Sequence, residues 1–109
     1  MKRLRFRRQF RDALRSGRKT QTIRLWKRPP LKVGDLCSVR EVGVVEILTV
    51  EPVTRERLCE GDARREGFDS VEELLETLRR IYPSVPDGKR FWRVRFRLLS
   101  PAGDDAPPV

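Results

Sequence analysis

The chain has 109 residues, 38% of them apolar, enough for one modest core but not for two, and it offers little scope for a large ligand cavity. No apolar run approaches the ~20 residues of a membrane span and no signal-type apolar segment follows the charged amino terminus, so the expected location is cytoplasmic. The lack of histidine excludes histidine-based zinc sites and serine–histidine triads. The net charge of +9 divides into +12 over residues 1–40 and −3 over residues 41–109, which points either to one surface facing a polyanion, nucleic acid first, or to pairing between the two parts.

In chain order, Leu4 and Phe6 alternate with Arg3, Arg5 and Arg7 as in a short strand. Phe6, Phe10, Ala13 and Leu14 then follow helical spacing up to Gly17, a residue suited to a helix end. Arg28-Pro29-Pro30 predicts a loop, because neither proline donates to a ladder, and Val33-Gly34-Asp35 a turn into a strand over residues 36–40. Residues 42–51 are β-branched and apolar at both parities, which predicts a central strand covered on two sides and closed by Pro52. A short helix is predicted over residues 60–67, ending at Gly67. The next helix carries a capping box, Ser70-x-x-Glu73, an apolar stripe of Val71, Leu74, Leu75, Leu78, Ile81 and Tyr82, and a stop at Pro83. Residues 91–99 place Trp92, Val94, Phe96 and Leu98 on one face and Arg93, Arg95 and Arg97 on the other, a strand with one buried and one cationic face. Residues 100–109, rich in Pro, Gly and Asp, predict a disordered tail after a single domain at residues 1–99.

Five or six short strands with two or three helices fit an α+β fold in which a small β-barrel carries helices at its side. Cys37 and Cys59 lie far apart without ligand spacing and are expected as small packed residues. The absence of asparagine and the excess of Arg over Lys fit a heat-adapted source or a GC-rich genome.

The segment Gly17-Arg18-Lys19-Thr20-Gln21-Thr22-Ile23-Arg24 concentrates chemistry in eight residues. If it is extended, Arg18, Thr20, Thr22 and Arg24 share one side and Lys19, Gln21 and Ile23 the other. A hydroxyl near a lysine amine is a potential nucleophile–base pair; a solvated basic edge strand is the plainer reading.

The pattern Gly17-x-Lys19-x-x-Thr22-x-Arg24 resembles the signature of the ASCH domain family. The resemblance extends to the Gly-Asp turn of Lys32-Val33-Gly34-Asp35, to Ala63-Arg64-Arg65-Glu66-Gly67-Phe68, and to Ile81-Tyr82-Pro83 with Phe91 and Trp92, covering roughly residues 4–99. It implies a PUA-like β-barrel and a partner that is a modified nucleoside or RNA. The family includes small bacterial amidohydrolases that act on N(4)-acetylcytidine with a Lys, a Thr and a Glu. These correspond to Lys19, Thr22 and Glu66 here, with neither metal nor organic cofactor implied.

Two assignments of roles are open. Lys19, if neutral, deprotonates Thr22 for attack; if charged, it polarises the carbonyl while Glu66 activates water. Burial and the cations Arg18 and Arg24 lower the lysine pKa, whereas Glu66 raises it. Arg18, Thr20 and Arg24 are expected to bind substrate, and Trp26 is either a stacking platform for a base or a partly buried loop aromatic. The competing class is a non-catalytic RNA-binding module that tracks phosphates with Arg3, Arg5, Arg7, Arg8, Arg11 and Arg15, and with Arg93, Arg95 and Arg97. Ribonuclease activity is a third reading, with lysine in the place of the usual histidine.

Overall fold

The computed structural model describes residues 1–101, with the side chains of the last two excepted. Five strands are hydrogen-bonded in the order β1 (Lys2–Arg3), β3 (Leu36–Val39), β4 (Gly43–Val53), β5 (Arg90–Pro101) and β2 (Gln21–Trp26), and the sheet curls into a half-barrel. Three helices accompany it: α1 (Arg11–Arg15), α2 (Glu60–Glu66) and α3 (Val71–Ile81). The expected α+β class and strand number are observed, with the sheet left open between β1 and β2. Among the described residues no helix is long and apolar enough to cross a membrane.

The opening strand is shorter than its alternation suggested. Only Lys2 and Arg3 pair, in parallel with Cys37 and Ser38, and the chain then leaves the sheet so that a 3-10 turn (Arg8–Phe10) can run into α1. Leu4 is nevertheless buried. Pro52 does not close β4 as predicted; the strand continues to Val53. Beyond Glu46 it has β5 alone as a partner, so the nitrogen of Pro52 lies on a free edge, where a missing donor costs little. Likewise β5 runs on through Ser100 and Pro101, and the rest of the predicted tail, 102–109, lies outside the described residues.

Directly paired residues share a face of the sheet. One face carries Val45, Ile47, Val50, Val94, Phe96 and Leu98, which join Leu4, Leu14, Leu31, Cys37, Val39 and Val42 in a first core. On the other face, Ile23 and Phe91 pack with Leu58, Ala63, Leu74 and Leu78 in a second core under α2 and α3, where only one core was expected; the sheet is apolar on both faces and each face is covered. Two register shifts in the β4–β5 ladder leave Leu48 and Leu99 without opposite numbers, and both leucines are exposed. Cys37 is fully buried as expected. Cys59 is not packed: it is the exposed residue that opens α2, where its amide donates to Asp62.

The helix boundaries follow local chemistry. The Ser70 hydroxyl accepts the Glu73 amide and starts α3. Gly67 ends α2 in the left-handed region at φ 91°, with its amide donating to the Ala63 and Arg64 carbonyls. A Cβ placed on Gly67 meets Ala13 Cβ and Lys19 Cβ at 3.6 Å each, an ordinary contact distance, so a substitution there is opposed by backbone strain rather than by lack of space. Gly67→Ala is expected to destabilise the fold by about 1–2 kcal/mol in urea denaturation, and a neutral effect would show that this turn relaxes freely.

Candidate active site

Lys19 reaches its position through the backbone on both sides of it. Its amide donates to the Ala13 carbonyl at 2.9 Å, and the amide of Thr20 donates to the Arg65 carbonyl at 2.7 Å. The segment is thereby clamped between the end of α1 and the last turn of α2 before β2 begins at Gln21. Strict alternation fails here as a result. Lys19 does not point away from Thr22 and Arg24; all three line one cavity of about 270 Å³.

Glu66, in the last turn of α2, meets Lys19 across that junction. The Lys19 Nζ donates to the Glu66 main-chain oxygen at 3.0 Å and to Oε1 at 3.2 Å. Both residues are only 4% exposed. Glu66 Oε2 is buried too, and no side chain or amide among the described residues donates to it. The amine also lies 4.8 Å from the centre of the Phe10 ring and 5.9 Å from that of Phe68. Burial pushes the Lys19 pKa below its ordinary value, against the Glu66 carboxylate, which pulls it up; the Arg24 cation adds to the lowering. Burial likewise pushes Glu66 above its ordinary value, against the lysine. Loss of water therefore drives both groups toward their uncharged forms, and one proton can cross between them over a single hydrogen bond.

Thr22 is buried on β2. Its Oγ1 accepts the Nε–H of Arg24 at 2.8 Å, which leaves the hydroxyl's own proton for another acceptor. Arg24 is fixed in turn by its terminal nitrogen, which donates to the Arg5 carbonyl, and by the Phe6 ring, whose centre lies 4.8 Å from the guanidinium carbon. Phe6, Phe10, Phe68 and Tyr82 supply aromatic walls, and Leu74, Leu78 and Ile81 of α3 an apolar side. A polar corner of amine, carboxyl, hydroxyl and guanidinium opposite several rings suits a planar heterocycle with a polar edge.

Glu66, Lys19, Thr22 and Arg24 are thus brought together as the sequence suggested. Arg18 is exposed and Thr20 is held by main-chain bonds, and neither lines the cavity. Trp26 lies outside it as well, packed against the first core, with its carbonyl accepting the Trp92 indole N–H at 3.1 Å. The aromatic walls were not read from the sequence as ligand contacts. Tyr82 belonged to a core stripe, and the phenylalanines of the first turn and of α2's end carry no local pattern distinguishing a cavity wall from a core residue.

The arginines divide into two groups. Arg93 donates to Glu51 at 2.8 and 2.9 Å and to Asp62 at 3.1 Å. Arg95 donates to Gln21 Oε1, and Arg97 to Glu46. The face of β5 predicted to be cationic is thus turned to carboxylates and, at Arg93 and Arg95, half-buried beside α2. Asp62, almost fully buried, also accepts Gln21 Nε2 at 3.2 Å; its pKa lies below the ordinary value, where the amide of Cys59, Gln21 and Arg93 outweigh burial. Arg11 pairs with Glu41, and Arg15 donates to the Glu41 carbonyl. Arg5, Arg7 and Arg8 are exposed without a carboxylate partner among the described residues, and Arg5 and Arg7 border the cavity. No group of three or more His, Cys, Asp or Glu able to hold a metal gathers among the described residues.

No family model matches the chain. It is 32% identical over 101 residues to an N(4)-acetylcytidine amidohydrolase of Haemophilus influenzae strain PittEE, covering 87% of this chain and 93% of that one. It is 35% identical over 96 residues to a protein of the same name from Citrobacter koseri, covering 83% and 89%. Among solved structures, an ASCH domain from Lactobacillus crispatus superposes with a TM-score of 0.70 at 17% identity, covering 82% of this chain and 69% of that one. A protein from Enterococcus faecalis V583 does so at 0.67 and 16% identity, covering 92% and 76%.

Removing one partner of the buried pair tests its electrostatics. In Glu66→Gln the lysine keeps its burial and the nearby Arg24 but loses its counter-charge, a loss of about 3–5 kcal/mol at neutral pH. The folded lysine pKa is then depressed further below the 10.5 from which it is already lowered. The folded state releases its proton first, so stability rises with pH from the folded lysine pKa up to that of the unfolded chain. Urea unfolding of the variant at pH 7 and pH 9.5 should show this recovery. A variant whose stability is flat or falls between those values would mean that Lys19 is not a desolvated cation.

Proposed function

As this chain belongs to the N(4)-acetylcytidine amidohydrolase family, whose fold is that of the ASCH domain, we propose that it hydrolyses the amide between an acyl group and the exocyclic nitrogen of cytosine in N(4)-acylated cytidines. The observation that carries this reading is the desolvated Lys19–Glu66 pair lining the same aromatic-walled cavity as the Arg24-bound Thr22 hydroxyl.

The base sits among the aromatic walls with its acylated nitrogen toward the polar corner. With the shared proton on Glu66, Lys19 is a neutral amine and accepts the Thr22 hydroxyl proton as Oγ1 bonds to the acyl carbon. Charge that develops on the acyl oxygen is met by the Arg24 guanidinium, which is already held in place and needs no reorganisation. Burial lowers the Arg24 pKa as well, but arginine remains cationic in proteins. The carbon–nitrogen bond then breaks while the Lys19 ammonium returns its proton to the departing nitrogen. Cytidine leaves and an acyl ester remains on Thr22. Water, deprotonated by Lys19, attacks the ester, releases the carboxylic acid and restores the hydroxyl. Delocalisation of the nitrogen lone pair into the ring makes cytosine a better leaving group than an alkyl amine, which suits a threonine nucleophile. The non-catalytic RNA-binding reading loses support at Arg93 and Arg97, which are occupied by carboxylates, and at Arg95, which is bound to Gln21.

Purified protein is expected to release cytidine from N(4)-acetylcytidine, followed by chromatography. Lys19→Ala and Thr22→Ala should each lower the rate by about 100-fold or more, Thr22→Ser should keep part of it, and acid quench during turnover should trap protein heavier by one acetyl group. Turnover that survives in Thr22→Ala would transfer the attack to water, and turnover that survives in Lys19→Ala would remove the lysine from the chemistry.

A further inference from the structure

A second and larger concavity, of about 640 Å³, adjoins the first. It is bordered by Arg3, Leu4, Arg5, Phe6, Arg11, Ser38, Val39 and Arg40, and Arg5 and Phe6 border both. The reaction proposed above makes no use of it. Four guanidinium groups belong to its rim. Arg3, Arg5 and Arg40 are exposed, and among the described residues no carboxylate lies within ion-pair distance of any of them. The contrast with β5 is sharp, since Arg93 and Arg97 are each matched to a carboxylate. The fourth, Arg11, is fixed by Glu41, which holds a left-handed conformation at φ 61°, unusual for a residue with a side chain. Glu41 also receives Arg15 on its carbonyl, so one strained turn residue orders this side of the rim. The parallel pairing of Arg3 with Ser38 brings the amino-terminal strand alongside the segment that leads to Arg40.

We propose that this cleft is a phosphate subsite, and that the preferred substrate is an N(4)-acylated cytidine carrying a phosphate, as a free nucleotide or within an RNA strand. The inference rests on the amide-hydrolysis reading for the base and adds the chemistry of the rest of the ligand. In a nucleotide the order is base, sugar, phosphate; here the order is cavity, shared wall of Arg5 and Phe6, arginine cleft. Planar guanidinium groups match phosphate oxygens in two-point hydrogen bonding. Unneutralised arginines gathered in a concavity also raise the local concentration of an anionic ligand.

The test compares kcat/KM for N(4)-acetylcytidine, its 5′- and 3′-monophosphates, and a short oligoribonucleotide containing one N(4)-acetylcytidine, in the unaltered protein and in Arg3→Ala/Arg40→Ala. Binding of cytidine and of cytidine monophosphate by calorimetry runs in parallel, so that a phosphate subsite is detected even if no substrate is hydrolysed. A phosphorylated substrate or ligand should exceed its unphosphorylated counterpart by about tenfold or more, and the double substitution should bring that ratio toward one. Preference for a monophosphate identifies a terminal phosphate as the source; preference for the oligonucleotide alone identifies the strand's backbone. Equal handling of phosphorylated and unphosphorylated ligands, or a preference that survives the double substitution, overturns the subsite. Loss of hydrolysis on every substrate with phosphate-dependent binding intact overturns the amidohydrolase reading instead.

Discussion

The bond between the Lys19 amine and Glu66 governs the arrangement of the molecule's polar interior. Two ionisable groups have been taken out of water together, at a desolvation cost that a single hydrogen-bonded contact does not readily recover. The surrounding structure accepts that cost through rigid geometry. The lysine's own amide is tied to α1, its neighbour's amide to α2, and the glutamate sits one residue before the glycine that ends α2. The pair is consequently a poor choice for stability and a good one for moving a proton, because burial lowers the pKa of the amine and raises that of the carboxyl.

Around that pair, polar contacts do work that apolar packing does elsewhere. Helix α2 lies against the sheet partly through Ala63 in the second core and partly through Asp62, which receives Gln21 and Arg93 at once. Those bonds fix the height of the helix above β2, and hence the reach of Glu66 toward Lys19. Charge is sorted by the same contacts. Arg93 and Arg95 of β5 are taken up in anchoring, while Arg3, Arg5 and Arg7 of the amino-terminal segment are left at the cavity mouths. Part of the positive excess of the first forty residues is thus gathered around two adjoining openings.

Features encoded locally were legible in the sequence. Ser70 and Glu73 defined the start of α3, and Gly67 the end of α2, because caps and left-handed turns depend on residues within a few positions. The chemical identity of Lys19, Thr22, Arg24 and Glu66 was legible through the family motif. What failed was anything decided at a distance. The alternation that would set Lys19 opposite Thr22 requires an extended segment from residue 18, and β2 starts only at Gln21. Pro52 reads as a terminus in the sequence because a sequence does not reveal which edge of a ladder is unpartnered. Arg93 and Arg95 read as a cationic face in the sequence because their acceptors, Glu51, Asp62 and Gln21, are 31 or more residues away. Of the two readings open for Trp26, the structure has the partly buried aromatic, packed against the first core.

The two unpaired leucines of the central ladder show how the sheet obtains its shape. Leu48 and Leu99 are surplus residues, each set between neighbours that are in register. A surplus residue lengthens one edge of a ladder relative to the other and so bends and twists it. Their exposure is therefore the outer mark of curvature, and each need be no more than a spacer. Ile47 and Val50 both face the first core across the register shift at Leu48, and the spacer's own side chain is left exposed. At both positions the residue's place in the ladder accounts for its presence: an added residue in one strand is what lets the sheet bend.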